Sequence, residues 1–208
     1  MRLPDPFTDA AAAAGFSAAV LKEVDPQLQD DMPDGTVLRT NSAAPYWTLN
    51  LSYPDLFDEE FALLLGTLAE SKRLNENIEV LLPQYEKYRV SGDTALTSIA
   101  SGAAGSEVVI SNYSALTGRP YLNDLFQMTG GTKVYKITKV EIDTQANTMT
   151  LGLYPRLTQV TVGSEKPIFN NILFSMVLSE GTLPMEDPST DGMYRGVEIT
   201  LRENVIHG

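Results

Sequence analysis

Hydrophobic and polar positions alternate most strictly between Tyr46 and Tyr53. There Trp47, Leu49 and Leu51 interleave with Tyr46, Thr48, Asn50 and Ser52. A period of two is that of a half-buried strand, one face packed and the other wet. Ser52-Tyr53-Pro54-Asp55 closes the strand, and the period then changes. Phe57, Phe61, Leu64, Leu65 and Leu68 fall at i, i+4, i+7, i+8 and i+11, which is one apolar face of an α-helix. Asp55, Asp58, Glu59 and Glu60 crowd its first turns and Lys72-Arg73 its last, each complementing the helix dipole. The pattern predicts a helix over 55–73.

The flanking segments are read from weaker signals. Residues 9–22, with five alanines, Gly15, Phe16, Ser17, two more alanines, Val20 and Leu21, read as a short helix or a mobile arm. Asp30-Asp31-Met32-Pro33-Asp34-Gly35 is a turn leading into Thr36–Arg39. Ile78–Leu82 and Tyr85–Val90 are short strands interrupted at Pro83. From about Ser91 the texture changes to Gly, Ser, Ala and Thr through Ser101-Gly102-Ala103-Ala104-Gly105-Ser106, marking a domain boundary or a long loop. Strand-like pieces follow at Glu107–Ser111, Asp124–Met128, Lys133–Ile142, Thr148–Tyr154, Pro167–Val177 and Tyr194–Asn204. Turn signals at Thr117-Gly118, Gly130-Gly131, Gln145-Ala146-Asn147 and Glu180-Gly181 separate them. Short strands at such intervals indicate a sandwich or small barrel, so the fold class is α+β, mainly β.

Composition narrows the function more than the fold. The 208 residues carry 15 Lys+Arg against 27 Asp+Glu, a net charge of −12. Such a surface repels nucleic-acid phosphates, which argues against tight nucleic-acid binding and suits a conduit better than a binder. Without cysteine there is no disulfide, thiolate metal site or cysteine nucleophile. No apolar run approaches the roughly 20 residues needed to span a bilayer. The first residues, Met1-Arg2-Leu3-Pro4-Asp5-Pro6, lack a signal-peptide core, so the expectation is a soluble protein made in a cytoplasm, with no membrane insertion.

Candidate chemistry is thin. The single histidine, His207, sits near the end of the chain, a poor place for a general base. The run Asp58-Glu59-Glu60 splays around a helix, and the dipole explains it. Asp187-Pro188-Ser189-Thr190-Asp191-Gly192, then five residues, then Glu198, matches the spacing of an EF-hand calcium loop. No helix is expected on either side of it, and Tyr194 stands where that loop places an aliphatic residue. Gly130-Gly131-Thr132-Lys133 resembles the end of a P-loop but lacks the upstream glycine, and a strand follows. Asn50-Leu51-Ser52 and Asn112-Tyr113-Ser114 are chance matches to a glycosylation sequon. Tyr46, Tyr53, Tyr85, Tyr88, Tyr113 and Tyr121 offer stacking surfaces for a sugar or a base. No catalytic, cofactor-binding or metal-ligating residue is assigned, no cofactor is expected, and the chain is read as a non-enzyme.

The order of segments goes further by resemblance. Tyr46–Ser52, the acidic-capped helix at 55–73 and Ile78-Glu79-Val80-Leu81-Leu82-Pro83 together look like the N-terminal domain of the distal tail proteins of long-tailed siphophages. Asp124-Leu125-Phe126-Gln127-Met128, Lys133-Val134-Tyr135-Lys136-Ile137 and Thr150-Leu151-Gly152-Leu153-Tyr154-Pro155-Arg156-Leu157 are similar to the barrel module appended in the two-domain members. The resemblance covers about residues 36–205. It implies a β-sandwich with one flanking helix from residues 1–88 and 183–208, and an inserted small β-barrel of the oligonucleotide/oligosaccharide-binding type over 89–182. It also implies a structural virion protein forming a homohexameric ring between the tail tube and the tail-tip hub or baseplate. Tail fibres are possible further partners, and DNA passes through the opening. The competing readings are a carbohydrate-binding module that contacts the host surface through the barrel, and a carboxylate-based metal hydrolase.

Overall fold

The computed structural model describes residues 1–6, 13–41, 43–179, 183–184 and 189–204. It divides into two compact units. The first comprises Met1–Val80 with the returning segment from Ser175, and the second comprises Leu81–Phe174.

The first unit is built on a five-stranded sheet. Its strands are β1 (Ala18–Val24), β4 (Tyr46–Ser52), β5 (Ile78–Leu81), β14 (Leu173–Leu178) and β15 (Glu198–Glu203), in the order β1-β4-β15-β14-β5. Between β1 and β4 the chain makes a separate two-stranded hairpin, β2 (Gln27–Asp31) and β3 (Val37–Asn41). The register decides which side chains share a face. Leu51, Leu49 and Trp47 on β4 stand beside Ala19, Leu21 and Glu23 on β1. On the other side Leu51 and Leu49 stand beside Ile199 and Leu201 on β15, whose Leu201 and Glu203 meet Leu178 and Met176 on β14. That face is packed, with Trp47, Leu49, Leu51, Ile199, Leu201 and Met176 all buried. The opposite face carries Thr48, Asn50, Thr200 and Arg202 and stays wet, as antiparallel sheets allow.

The helix α1 (Asp58–Leu74) buries Phe61, Leu64, Leu68 and Ser71. Glu60 accepts from the Phe57 N–H at 2.9 Å, closing the first turn. Asn75 in the left-handed region, with Glu76 N donating to Ser71 O at 3.0 Å, ends the helix. Tyr194 stacks on Phe61 with ring centres 3.9 Å apart. Glu203 is 2% exposed and its carboxylate accepts from the Trp47 N–H at 3.1 Å, which ties the last strand to the start of β4.

The second unit contains a six-stranded sheet. In chain order its strands are β7 (Ser98–Ile99), β8 (Glu107–Ser111), β10 (Leu125–Met128), β11 (Tyr135–Asp143), β12 (Thr148–Tyr154) and β13 (Pro167–Ile168). In space they run β13-β10-β11-β12-β8-β7. A two-stranded piece, β6 (Val90–Gly92) with β9 (Leu116–Gly118), lies in the same unit. The core is Ile99, Val108, Ile110, Phe126, Met128, Tyr135, Ile137, Met149, Leu151, Leu153 and Leu157. The closed barrel expected here is not formed: no ladder joins the edges β13 and β7. The chain at 161–166 clips both sides with isolated bonds instead, Ile99 N to Glu165 O and Thr129 N to Lys166 O, each at 3.0 Å. That stretch holds Gly163 at φ 89° and runs irregularly, so it supplies single bonds where a strand would supply a ladder.

Three further expectations are corrected. Ala18–Leu21, within the stretch read as a helix or arm, lies in β1: pairing with β4 and a half-buried Leu21 override the helix propensity of alanine. Tyr85–Val90 is not a strand, because Pro83 opens a short 3-10 turn and Tyr88 has φ 48°. Pro167–Val177 is two strands in two different sheets, parted where Asn171 takes φ 54°. Residues 9–12 of the alanine run lie outside the described residues.

A register shift between Ile137 and Lys139 marks a bulge in β11, and Gly152 lies across from it. A Cβ on Gly152 would meet Lys139 Cβ at 2.7 Å and Thr138 Oγ1 at 3.0 Å. Gly152→Ala is expected to destabilise the protein by about 1–3 kcal/mol in denaturant titration, while Gly131→Ala, where only ordinary contact awaits, changes stability by under about 0.5 kcal/mol. Glu203→Ala strands the Trp47 N–H in the core and is expected to cost about 1–3 kcal/mol, with Glu203→Gln losing less, read by the same titration.

Candidate functional site

The first unit leaves two features uncovered, and both arise from one ribbon. β1 and β4 pair along their length, and the connection between them continues as β2 and β3, which pair with each other from Gln27↔Asn41 to Asp31↔Val37. Pro26 and Pro45, which have no N–H to give to a ladder, interrupt the ribbon between its base and its tip. All five residues of β2 are exposed, and at roughly 3.4 Å per residue the paired part reaches about 17 Å.

The tip is well made. Gly35 N donates to Met32 O at 2.9 Å, Met32 N donates to Thr36 O at 2.8 Å, and Gly35 has φ 84°. This is a three-residue hairpin loop with Pro33 and Asp34 at its centre and glycine at the left-handed position. Cross-strand partners share a face, so Leu28 lies with Thr40, and Asp30 with Leu38. Leu28 is 67% exposed and Leu38 51%, with Met32 beyond them also exposed. The reverse face holds Gln29 with Arg39 and Asp31 with Val37. An isolated hairpin is marginal in water, so an apolar face on one is a surface that gains by being covered.

The second feature is the outer edge of β1. Among the described residues no strand lies beyond it, whereas the opposite edge, β5, is guarded. There Leu3 N donates to Glu79 O at 2.9 Å and Glu79 N donates to Met1 O at 2.7 Å. Beside β1, the wet face of the sheet carries exposed Val20 and Arg202, whose guanidinium lies 3.9 Å over the Tyr46 ring.

The residues that suggested chemistry are held in structural roles. His207 and Asp187 lie outside the described residues. Asp58 accepts from the Tyr194 hydroxyl at 3.3 Å and Glu60 caps α1. Asp191 accepts from the Ser189 hydroxyl and from Met193 N at 3.2 Å, and pairs with Arg195 at 2.5 Å; these contacts hold its carboxyl at about 2. Glu198 opens β15, so a strand stands where an EF-hand needs a helix. Gly130-Gly131 is a turn, with Gly131 N donating to Met128 O at 3.2 Å, and it lines a cavity of about 220 Å³ with Lys133. Among the described residues no three His, Cys, Asp or Glu side chains are grouped to hold a metal ion, and no described helix is long and apolar enough to cross a membrane. Of the tyrosines, Tyr53 and Tyr135 are buried while Tyr88 and Tyr121 are exposed.

Sequence reasoning missed β2, because Gln27-Leu28-Gln29-Asp30-Asp31 has no apolar period. The signal that finds it is the loop: a Pro-Asp-Gly turn followed by a strand requires a strand before it. Asp34 accepts from Thr36 N at 2.9 Å, and that backbone bond, with the Thr36 hydroxyl, holds its carboxyl below the usual carboxylate range. A depressed folded pKa gives order that is present above the unfolded value and lost as the pH falls through the folded one. Titrating from about pH 6 to about pH 2, the Thr36 amide resonance is expected to move with a midpoint below the ordinary aspartate value of about 3.9. A midpoint at or above that value means the bond is absent in solution.

Comparison with known proteins agrees over both units. The family described as distal tail protein pb9, A domain, N-terminal, matches residues 3–85, and that described as distal tail protein pb9, B domain, matches residues 86–172. The distal tail protein pb9 of Escherichia phage T5 is 41% identical over 206 residues, covering 99% of this chain and 100% of the relative. Matched by both domain models and by a relative along nearly its whole length, the chain belongs to the pb9 family of bacteriophage distal tail proteins, structural components of the virion tail and not enzymes.

Proposed function

We propose that the chain works as one subunit of a closed, hexameric ring that joins the tail tube to the tail-tip complex and lets DNA pass. The observation that carries this reading is the arm, with an apolar face that its own unit does not cover. A ring needs a heterologous contact, in which one surface of a subunit fits a different surface of the next. An arm that reaches out supplies one of the two. The number six is what the family resemblance implies.

The charge supports the conduit. A subunit of net charge −12, repeated around an opening, repels a polyanion, so the genome slides past without adhering. The tube protein, the tip hub or baseplate proteins and the fibres are the partners this position brings into reach. The carbohydrate reading has less behind it: the face of the Tyr121 ring is taken by Arg89, 4.4 Å from its centre.

Light scattering over a concentration series, followed by negative-stain imaging, tests the ring. The full chain is expected to reach about six subunits. A variant in which residues 27–41 are replaced by an Asn-Gly turn is expected to melt normally and stay monomeric. An arm-less chain that closes rings as readily as the full one contradicts the reading.

A further inference from the structure

The second unit carries an exposed groove whose origin can be traced along β11. Tyr135 and Ile137 point into the core, and Ile137 pairs with Leu153. The bulge at Thr138 shifts the alternation by one residue, so that Val140, opposite Leu151, and Ile142, opposite Met149, continue the same apolar face. The core runs out before the strand does. Val140 packs at the rim of the core, and Ile142 is exposed. Tyr121 and Leu122, from the loop after β9, stand over this end of the strand, 52% and 65% exposed. With Arg89 and Arg119 they line an open groove of about 710 Å³.

The electrostatics of the groove run against those of the chain. Arg89 lies over the Tyr121 ring and Arg119 lies 6.0 Å from its centre. One carboxylate, Asp124, stands near, 3.9 Å from Arg89, and it also accepts from Tyr121 N at 2.8 Å. Two guanidinium groups beside bare aliphatic side chains call for a ligand that is both acidic and apolar. A sugar needs paired donors and acceptors, and Leu122, Val140 and Ile142 offer none. An extended peptide segment with leucines and aspartates suits the lining.

Such a segment exists in this chain. The arm presents Leu28, Leu38 and Met32 with Asp30 on one face, has Asp31 and Asp34 close by, and sets those three aspartates against the single Arg39. We infer that the arm of a second copy of the chain seats in the Arg89–Arg119–Tyr121 groove, Leu38 and Leu28 on Leu122, Val140 and Ile142, and Asp30, on the same face, toward the two arginines. This rests on the ring reading above and names the surface that receives the arm.

Because the chain has no cysteine, a cross-link reports the contact directly. Leu38→Cys and Leu122→Cys are made in separate full-length chains, mixed at concentrations where the wild type oligomerises, and mildly oxidised. The expected result is a disulfide-linked dimer that neither variant forms alone. It is lost when Arg89→Glu and Arg119→Glu are added to the Leu122→Cys chain, and regained when the other chain also carries Asp30→Arg. Oligomers without the link overturn this inference and leave the ring standing. No oligomer and no link at any concentration removes both. A chain carrying both cysteines that links only within itself overturns the second-copy assignment. Polygalacturonate that binds the wild type but not the Arg89→Glu, Arg119→Glu chain, with no link formed, replaces the arm by an anionic glycan.

Discussion

The structure of the first unit depends on β4 being paired on both sides. Its ladder to β1 is local, while its ladder to β15 joins residues far apart in sequence, with Glu203 reaching Trp47 across 156 positions. Because the pairs are in register, one alternating run of Trp47, Leu49 and Leu51 dictates which residues of three strands face the core. The helix then covers part of a surface whose chemistry β4 has already decided. Burial of Glu203 follows from the same register. That register places a carboxylate in the core, where it accepts from the Trp47 N–H.

The ribbon that gives β4 its local partner also creates the exposed arm. Natural sheets usually blunt free edges and avoid apolar residues on them. Here one edge is blunted by residues 1–3, and the other runs into an arm with uncovered leucines. The uncovered leucines set this side of the sheet apart from the other. This suits a component whose surfaces are completed by other tail components.

Much of this was legible in the chain because the strongest elements are those whose period tertiary contacts do not override. β4, α1, β8 and β12 appear within a few residues of where alternation and helical spacing place them. The turn at Met32–Thr36 was legible from Pro, Asp and Gly alone. The losses have physical causes. β1 contains alanines whose helix propensity yields to a ladder. β2 is wet on both faces, so no period marks it. The strand read across Pro167–Val177 breaks at Asn171, whose left-handed backbone leaves no trace in hydropathy. The groove was illegible for a different reason. A bulge at Thr138 exchanges the two faces of β11, and that exchange makes Val140 and Ile142 continue the face that begins with Tyr135 and Ile137.

The late partner of β4 has a consequence for how the protein is made. A ribosome releases β1, the arm, β4 and α1 well before β15 exists, and the inserted unit is synthesised in between. Throughout that interval the inner edge of β4, with Trp47, Leu49 and Leu51, waits for its partner. Loop closure over such a distance adds little to the final stability but delays the pairing. The nascent chain therefore passes through a stage in which a hydrophobic strand is open on one side and an apolar arm is open on the other. Crowded synthesis of many copies in an infected cell makes this stage the point at which subunits are most exposed to premature pairing with one another.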